Sequence, residues 1–299
     1  MVSFPSPPLA RVAMLALAGL FSVSACSLLD DAGMVTIPKP PAEASTVPRP
    51  AIATPLPSPT MGPVKATGGD AGSTSAESAV EVLRLKPRPK PGPFRMNLFR
   101  KGDFVHQATK DWCVAGSTAT MMNIIDTGKP NRSSGFQAKL YKRGRKLSPD
   151  KRRLGSIGVD LLGWAELLNR GGYGPYVVAS AAKRGTAIRK AARAIRKTGR
   201  PVGLVTWRGA HSWVMSGFTA TADPAYSGDF KVKAVNIQDT WYPYVSTIWG
   251  ASRPPDSLVP VAALAEDYLP YARPRAKWPK RDGKFMLILP VLPPDTVAR

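Results

Sequence analysis

The pattern of hydrophobic and polar positions divides the chain into stretches of different rhythm. Residues 12–24 form an apolar run broken only by small side chains, too short to span a bilayer comfortably and right for a signal-peptide core. Residues 27–93 lose periodicity altogether. Pro, Ala, Thr, Ser and Gly dominate there, no aromatic residue occurs, and prolines recur at 38, 40, 41, 48, 50, 55, 57, 59 and 63 and again at 87, 89, 91 and 93. That composition favours an extended tether over a packed core, with at most a short helical turn at 75–85. From residue 94 the pattern becomes that of a folded domain. Val114, Thr118, Met121, Met122 and Ile125 share a helical stripe over 114–125, followed by Gly128 and Pro130. A second helix is expected at 159–169, closed by Gly171-Gly172. A third, at 186–198, sets Ile188, Ala191, Ala192 and Ile195 against Arg189, Lys190, Arg193, Arg196 and Lys197. After Gly199-Arg200-Pro201 the period falls to two, and 202–207, 211–218, 230–237 and 285–289 read as strands. No internal repeat is present. Helices first and antiparallel strands afterwards predict an α+β fold, with helices of the first half packed on a sheet from the second. The expected organisation is a signal peptide at 1–25, a tether at 26–93 and one domain at 94–299.

Composition narrows the chemistry. Two Cys and two His in 299 residues exclude a disulfide scaffold and a zinc ribbon, and nothing calls for a metal or another cofactor. Lys and Arg number 42 against 20 Asp and Glu, a net charge of +22 that attracts polyanions without choosing among them. The N-terminus chooses a compartment. Val23-Ser24-Ala25-Cys26 resembles the bacterial lipoprotein box, in which the cysteine becomes the first mature residue and carries the lipid. Ordinary cleavage after Ala25 would instead release a soluble product. Either route exports the chain, so chromosomal DNA loses its standing as a partner.

With Cys26 assigned to the processing point, Cys113 is the one thiol of the folded domain. A lone cysteine is commonly a small buried hydrophobe. Asp111-Trp112-Cys113, however, stands at the start of the first expected helix, where Asp111 is placed to cap and the helix N-terminus stabilises a thiolate. A nucleophile needs a base, an orienting group and an oxyanion donor. His211, at the head of a strand after Arg208-Gly209-Ala210, is the candidate base; His106, seven residues before Cys113, is less suitable. Asp239, which shares a strand face with Ile237 while Asn236 points away, is the candidate orienting group, with Asp223 as second choice. Gln107, six residues before Cys113, is the candidate oxyanion donor beside the Cys113 N–H.

Gln107-x5-Cys113 at a helix start, a strand-leading His211 and Asp239 on the next strand resemble a papain-like cysteine peptidase. The more specific likeness is to the bacteriocin-leader-processing peptidases and their stand-alone secreted relatives, carried by residues 107–122, 199–205, 211–218 and 237–243. The resemblance spans about 104–243. It implies the papain-like fold, a thioester on Cys113, His211 as base and then acid, and Gln107 as oxyanion donor. Two departures stand out: Thr240 occupies the place usually taken by proline after the triad Asp, and the basic segment 139–153 matches no part of the family.

The remaining cations form two clusters. One runs through Lys139, Lys142, Arg143, Arg145, Lys146, Lys151, Arg152 and Arg153; the other spans 183–200 with no acidic residue between. Aromatic residues are not interleaved with them, so single-stranded nucleic acid is not the expected partner. For an exported chain the expected partners are an anionic membrane surface or wall polymer. Trp112, Trp207, Trp213 and Trp241 neighbour the candidate residues in sequence, as cleft walls or as core. The expectation is an exported cysteine peptidase or related amide hydrolase acting on a peptide or other amide. Its alternative is a non-catalytic envelope-binding lipoprotein that uses the basic surface.

Overall fold

A computed structural model describes residues 92–149, 158–273 and 277–293. The expected signal peptide, Cys26, most of the tether and residues 150–153 of the basic segment lie outside the described residues. Within them the fold is α+β. The chain runs β1 (Phe94–Asn97), α1 (Cys113–Ile125), α2 (Ser134–Leu147), α3 (Leu161–Arg170), β2 (Tyr176–Ala181), α4 (Arg184–Thr198), β3 (Val202–Thr206), β4 (His211–Ala220), β5 (Val232–Asp239), β6 (Val245–Ser246), β7 (Gly250–Ala251), β8 (Ser257–Pro260) and β9 (Phe285–Pro290). Seven strands form one sheet in the order β2-β9-β3-β4-β5-β8, with β1 paired to β4 beyond the end of β3; β6 and β7 make a separate ladder. Every pairing is antiparallel.

The expected helices and strands form with their ends moved by a few residues, and six elements were not expected: β1, α2, β2 and the short strands β6, β7 and β8. The layering also differs from helices stacked on a single face. Val205, Val214, Met286 and Ile288 point into a core shared with α1 and α3, while Leu204, Trp213, Met215, Ile237 and Leu287 point to the opposite core, which holds Ile188, Ala191 and Ile195 of α4. Alternation along β3, β4 and β9 gives the sheet two apolar faces, and each needs cover. Helices therefore lie on both sides.

Every residue of α1 from Cys113 to Ile124 is buried, which makes it the central helix and not merely an amphipathic one. α3 starts where the Asp160 side chain accepts from the Gly163 N–H at 2.8 Å, and Arg281 pairs with the other Asp160 oxygen at 3.1 Å. α4 ends at Gly199, whose φ of +64° is the left-handed C-cap geometry, with Pro201 beyond it. The basic segment is not a loop insert through its first half: α2 packs Leu140 and Gly144 inward, and a Cβ on Gly144 would stand 2.9 Å from Leu167 and Val159 atoms. Glycine there lets the helices approach. Fully buried Trp164, Trp213, Tyr176 and Tyr268 are the largest core side chains, each contributing about 2 kcal/mol or more by removal from water.

Gly217 fixes the join of β1 to β4. A Cβ there would lie 2.4 Å from the Met96 carbonyl oxygen and 2.7 Å from the Asn97 Cα, both backbone atoms that cannot step aside. Gly217→Ala is expected to lower unfolding free energy by about 1–3 kcal/mol, read from the urea midpoint.

Candidate active site

β4 and β5 pair so that Trp213 faces Asp239, the last matched residue of β5. His211 lies two residues further along β4, opposite Thr206 of β3, and reaches Asp239 diagonally across the strand ends. Its Nε2 is 2.7 Å from Asp239 Oδ1, with His211 side-chain exposure of 2% and Asp239 of 0%. The same Asp239 oxygen accepts from the Trp241 N–H at 3.0 Å, and Oδ2 accepts from the Arg253 N–H at 3.4 Å. A carboxylate buried this deeply needs such donors, and removing its partner would cost about 3–5 kcal/mol.

His211 also makes a side-chain hydrogen bond with Cys113. Nε2 is taken by Asp239, which leaves Nδ1 as the nitrogen available to the sulfur. With the Nε2 proton given to Asp239, a neutral ring presents its Nδ1 lone pair to the thiol. Burial pulls the His211 pKa down, but Asp239, through charge and hydrogen bond, and Cys113, as an anionic partner, together push it up to about 9. At neutral pH this favours the imidazolium form of His211 beside the Asp239 carboxylate.

Cys113 is the first residue of α1. The N-cap is Trp112, and no side chain caps the helix. The expectation that Asp111 caps is therefore corrected: it stands one residue too early, and its Oδ1 has no hydrogen-bond partner among the described residues. Burial raises the Asp111 pKa, Lys110 opposes the rise, and the neighbouring Cys113 charge adds to it. The uncapped N–H groups and the positive end of the helix dipole act on the sulfur.

Gln107 is brought beside this helix start, its Cβ packed near Gly116. Its Nε2 donates to the Thr109 and Lys110 carbonyls at 2.9 and 3.1 Å, and its Oε1 accepts from Thr240 Oγ1 at 3.1 Å. The Gln107 N–H also donates to the Thr240 carbonyl at 3.0 Å. Thr240 thus orients the glutamine amide and ties its segment to the end of β5. The amide is engaged with the loop ahead of Cys113 and not aimed freely at a substrate oxygen.

The other candidates fall elsewhere. His106 bonds through Nδ1 to the Tyr242 carbonyl at 2.7 Å and contacts Tyr244 edge-on. Asp223 is held by Arg196 at 2.8 Å. Of the four tryptophans, Trp213 and Trp241 are core, Trp112 stacks on Tyr141, and Trp207 lies flat on the His211 ring with centroids 4.2 Å apart. The sequence placed Trp207 near the candidate residues only as cleft wall or core; its contact with His211 and its anchor Asp267 were not foreseen. The available signal was an indole four residues before the imidazole across a Gly-containing turn. A cavity of about 30 Å³, the room of one water molecule, adjoins Cys113 and His211 and is walled by Val114, Val159, Leu161, Trp164 and Val205. Cys113 itself is 4% exposed.

The cations divide in two. On α4, Lys190 bonds to the Ser180 carbonyl, Arg193 to that of Gly228 and Arg196 to Asp223, and just beyond the helix Arg200 bonds to the carbonyls of Tyr173 and Val291. Much of that cluster therefore fastens the fold. On α2, Lys139, Lys142, Arg143 and Lys146 are all exposed on one side with no acidic residue in the helix.

No family model, curated protein or solved structure matches this chain.

The His211 pKa gives a sign to the pH dependence of stability. Its folded value of about 9 lies above the ordinary 6.5, so the stabilisation is fully present below pH 6.5 and lost as pH rises through 9. Unfolding free energies from urea titrations at pH 6 to 10 are expected to fall by about 3 kcal/mol across that window, and His211→Gln to flatten the fall.

Proposed function

We propose that this protein is an exported, papain-like cysteine peptidase or related amide hydrolase, lipid-anchored through Cys26. One observation carries the reading: a single imidazole, buried, with Asp239 at 2.7 Å on Nε2 and a hydrogen bond to Cys113, which heads an uncapped helix. Each partner has a task that its position suits. The Cys113 thiolate attacks the amide carbon as the carbonyl electron pair moves to oxygen, and the Cys113 N–H receives that oxyanion. Gln107 joins as donor if its Nε2 exchanges one loop carbonyl for the substrate oxygen. His211 gives its Nδ1 proton to the leaving nitrogen as the C–N bond breaks, and the thioester remains. Water then attacks the thioester, its proton passes to His211, and the C–S bond breaks to return the thiolate. Asp239 holds the tautomer and balances the imidazolium charge throughout. The buried sulfur and small cavity favour a substrate that presents little bulk at the scissile carbonyl.

The non-catalytic, envelope-binding alternative draws on the exposed cations Lys139, Lys142, Arg143 and Lys146 of α2. Both readings leave room for that face to meet an anionic membrane or wall polymer.

Iodoacetamide alkylation at pH 6 separates the two. Catalytic pairing predicts rapid alkylation of Cys113 that slows by at least tenfold in His211→Ala and Asp239→Ala; a slow rate indifferent to His211 would remove the mechanism. Cleavage of a peptide library by the unsubstituted chain and by Cys113→Ala completes the test, equal turnover counting against it. For Gln107→Ala the expected result is a loss of about 10²–10³ in turnover with alkylation little changed, because alkylation forms no oxyanion. A parallel loss of both would make Gln107 a support for the loop alone.

A further inference from the structure

The turn from β3 to β4 adopts a backbone that side-chain-bearing residues avoid. Trp207 and Arg208 have φ of +51° and +55°, and Gly209 follows at +94°. Two consecutive non-glycine residues in the left-handed region persist only where their surroundings over-determine them. Here the surroundings do so. The Trp207 N–H donates to the Asp267 carbonyl at 2.8 Å, and its indole Nε1 donates to Asp267 Oδ1 at 3.1 Å. Arg253 holds the second Asp267 oxygen at 3.1 Å, and its backbone N–H meets Asp239 Oδ2. On the other side of the turn, the Ala272 N–H donates to the Arg208 carbonyl at 3.1 Å.

The outcome is an indole laid on the imidazole, 4.2 Å between centroids and 24° between planes, with Trp249 stacked on Trp207 in turn. This contact supplies what the two hydrogen bonds of His211 lack. Bonds at Nε2 and Nδ1 lie in the ring plane and fix the line between Asp239 and Cys113, but they resist weakly a rotation about that line. A flat neighbour blocks it. The indole face is also negative and attracts a cation lying over it, most strongly where water is absent.

We propose that Trp207, clamped by Asp267 and Arg253, is a positioning residue that fixes the plane of the His211 ring and favours its protonated form. The proposal rests on the reading of Cys113 and His211 as a thiolate and imidazolium pair. The charged groups around the ring are Cys113, Asp239 and, behind the indole, Asp267 with Arg253.

The chain has two histidines, so NMR titration of the imidazole Cε1–H signals in the full chain resolves His211 directly. The unsubstituted chain is expected to titrate near 9. Trp207→Leu should lower that midpoint by about half a unit to one unit, and Trp207→Phe, which restores a smaller face, should recover most of it. Midpoints unchanged in both variants, with His211 near 9 and alkylation still dependent on His211, overturn the positioning role alone. A midpoint near 6.5 in the unsubstituted chain, or alkylation indifferent to His211→Ala, overturns the pair on which it rests. Should Trp207→Leu fail to fold, indole emission of the unsubstituted chain decides. A protonated imidazole quenches an indole stacked on it, so emission must rise as His211 loses its proton and must lose that step in His211→Ala. Flat emission across the midpoint overturns the contact.

Discussion

The buried bond between His211 and Asp239 constrains the rest of this structure. Two ionisable groups at 2% and 0% side-chain exposure are tolerable only as partners, and only with their remaining hydrogen-bonding capacity met. Trp241 and Arg253 supply backbone donors to the carboxylate, and Cys113 supplies the group at the far imidazole nitrogen. Those demands fix where β5 must end, where the following loop must turn and where α1 must begin. They also fix the register of β4 on β5. A slip by one residue would send Asp239 to the opposite face and leave both charges without their partner.

A second layer of contacts serves the first. Thr240 anchors Gln107 by backbone and hydroxyl, which draws the segment before Cys113 against the end of β5. Asp267 and Arg253 hold the Trp207 turn in a conformation that its own residues disfavour, and the indole then covers the imidazole. The sheet supplies rigidity beneath these loops because helices cover both of its faces. The cations divide between support and surface within both helices: Lys190, Arg193 and Arg196 of α4 and Arg143 and Arg145 of α2 hold neighbouring carbonyls or Asp223, whereas Lys139, Lys142 and Lys146 of α2 are exposed.

Much of the secondary structure was legible where a single period ran long enough. The stripe in α1, the apolar faces of α3 and α4 and the runs of β3, β4, β5 and β9 each repeat several times within one element. β1 was not, because four residues after a proline-rich stretch carry too little pattern, and their pairing with β4 depends on Gly217 admitting their backbone. β2 mixes Ala and Ser into a partly exposed strand, which weakens alternation. α2 reads as a charge run because only Gln137, Leu140 and Gly144 of its residues are buried; it is a helix placed by close approach to α3. Of the candidate site, the identities of Cys113, His211 and Asp239 were legible by scarcity and order, since few thiols and imidazoles were on offer.

By itself the sequence determined that one thiol stands at a helix start, that one histidine leads a strand, and that carboxylate and glutamine candidates lie at workable distances along the chain. Only the tertiary structure decided how they meet. It assigned Nε2 to Asp239, made Cys113 a second partner of His211, left α1 without the Asp111 cap, engaged the Gln107 amide with its own loop and laid Trp207 on His211. The physical reason is range. Helix and strand periods are local and repeat within one element, whereas ring orientation, hydrogen-bond occupancy and the clamped turn arise from strand register and from residues tens of positions apart.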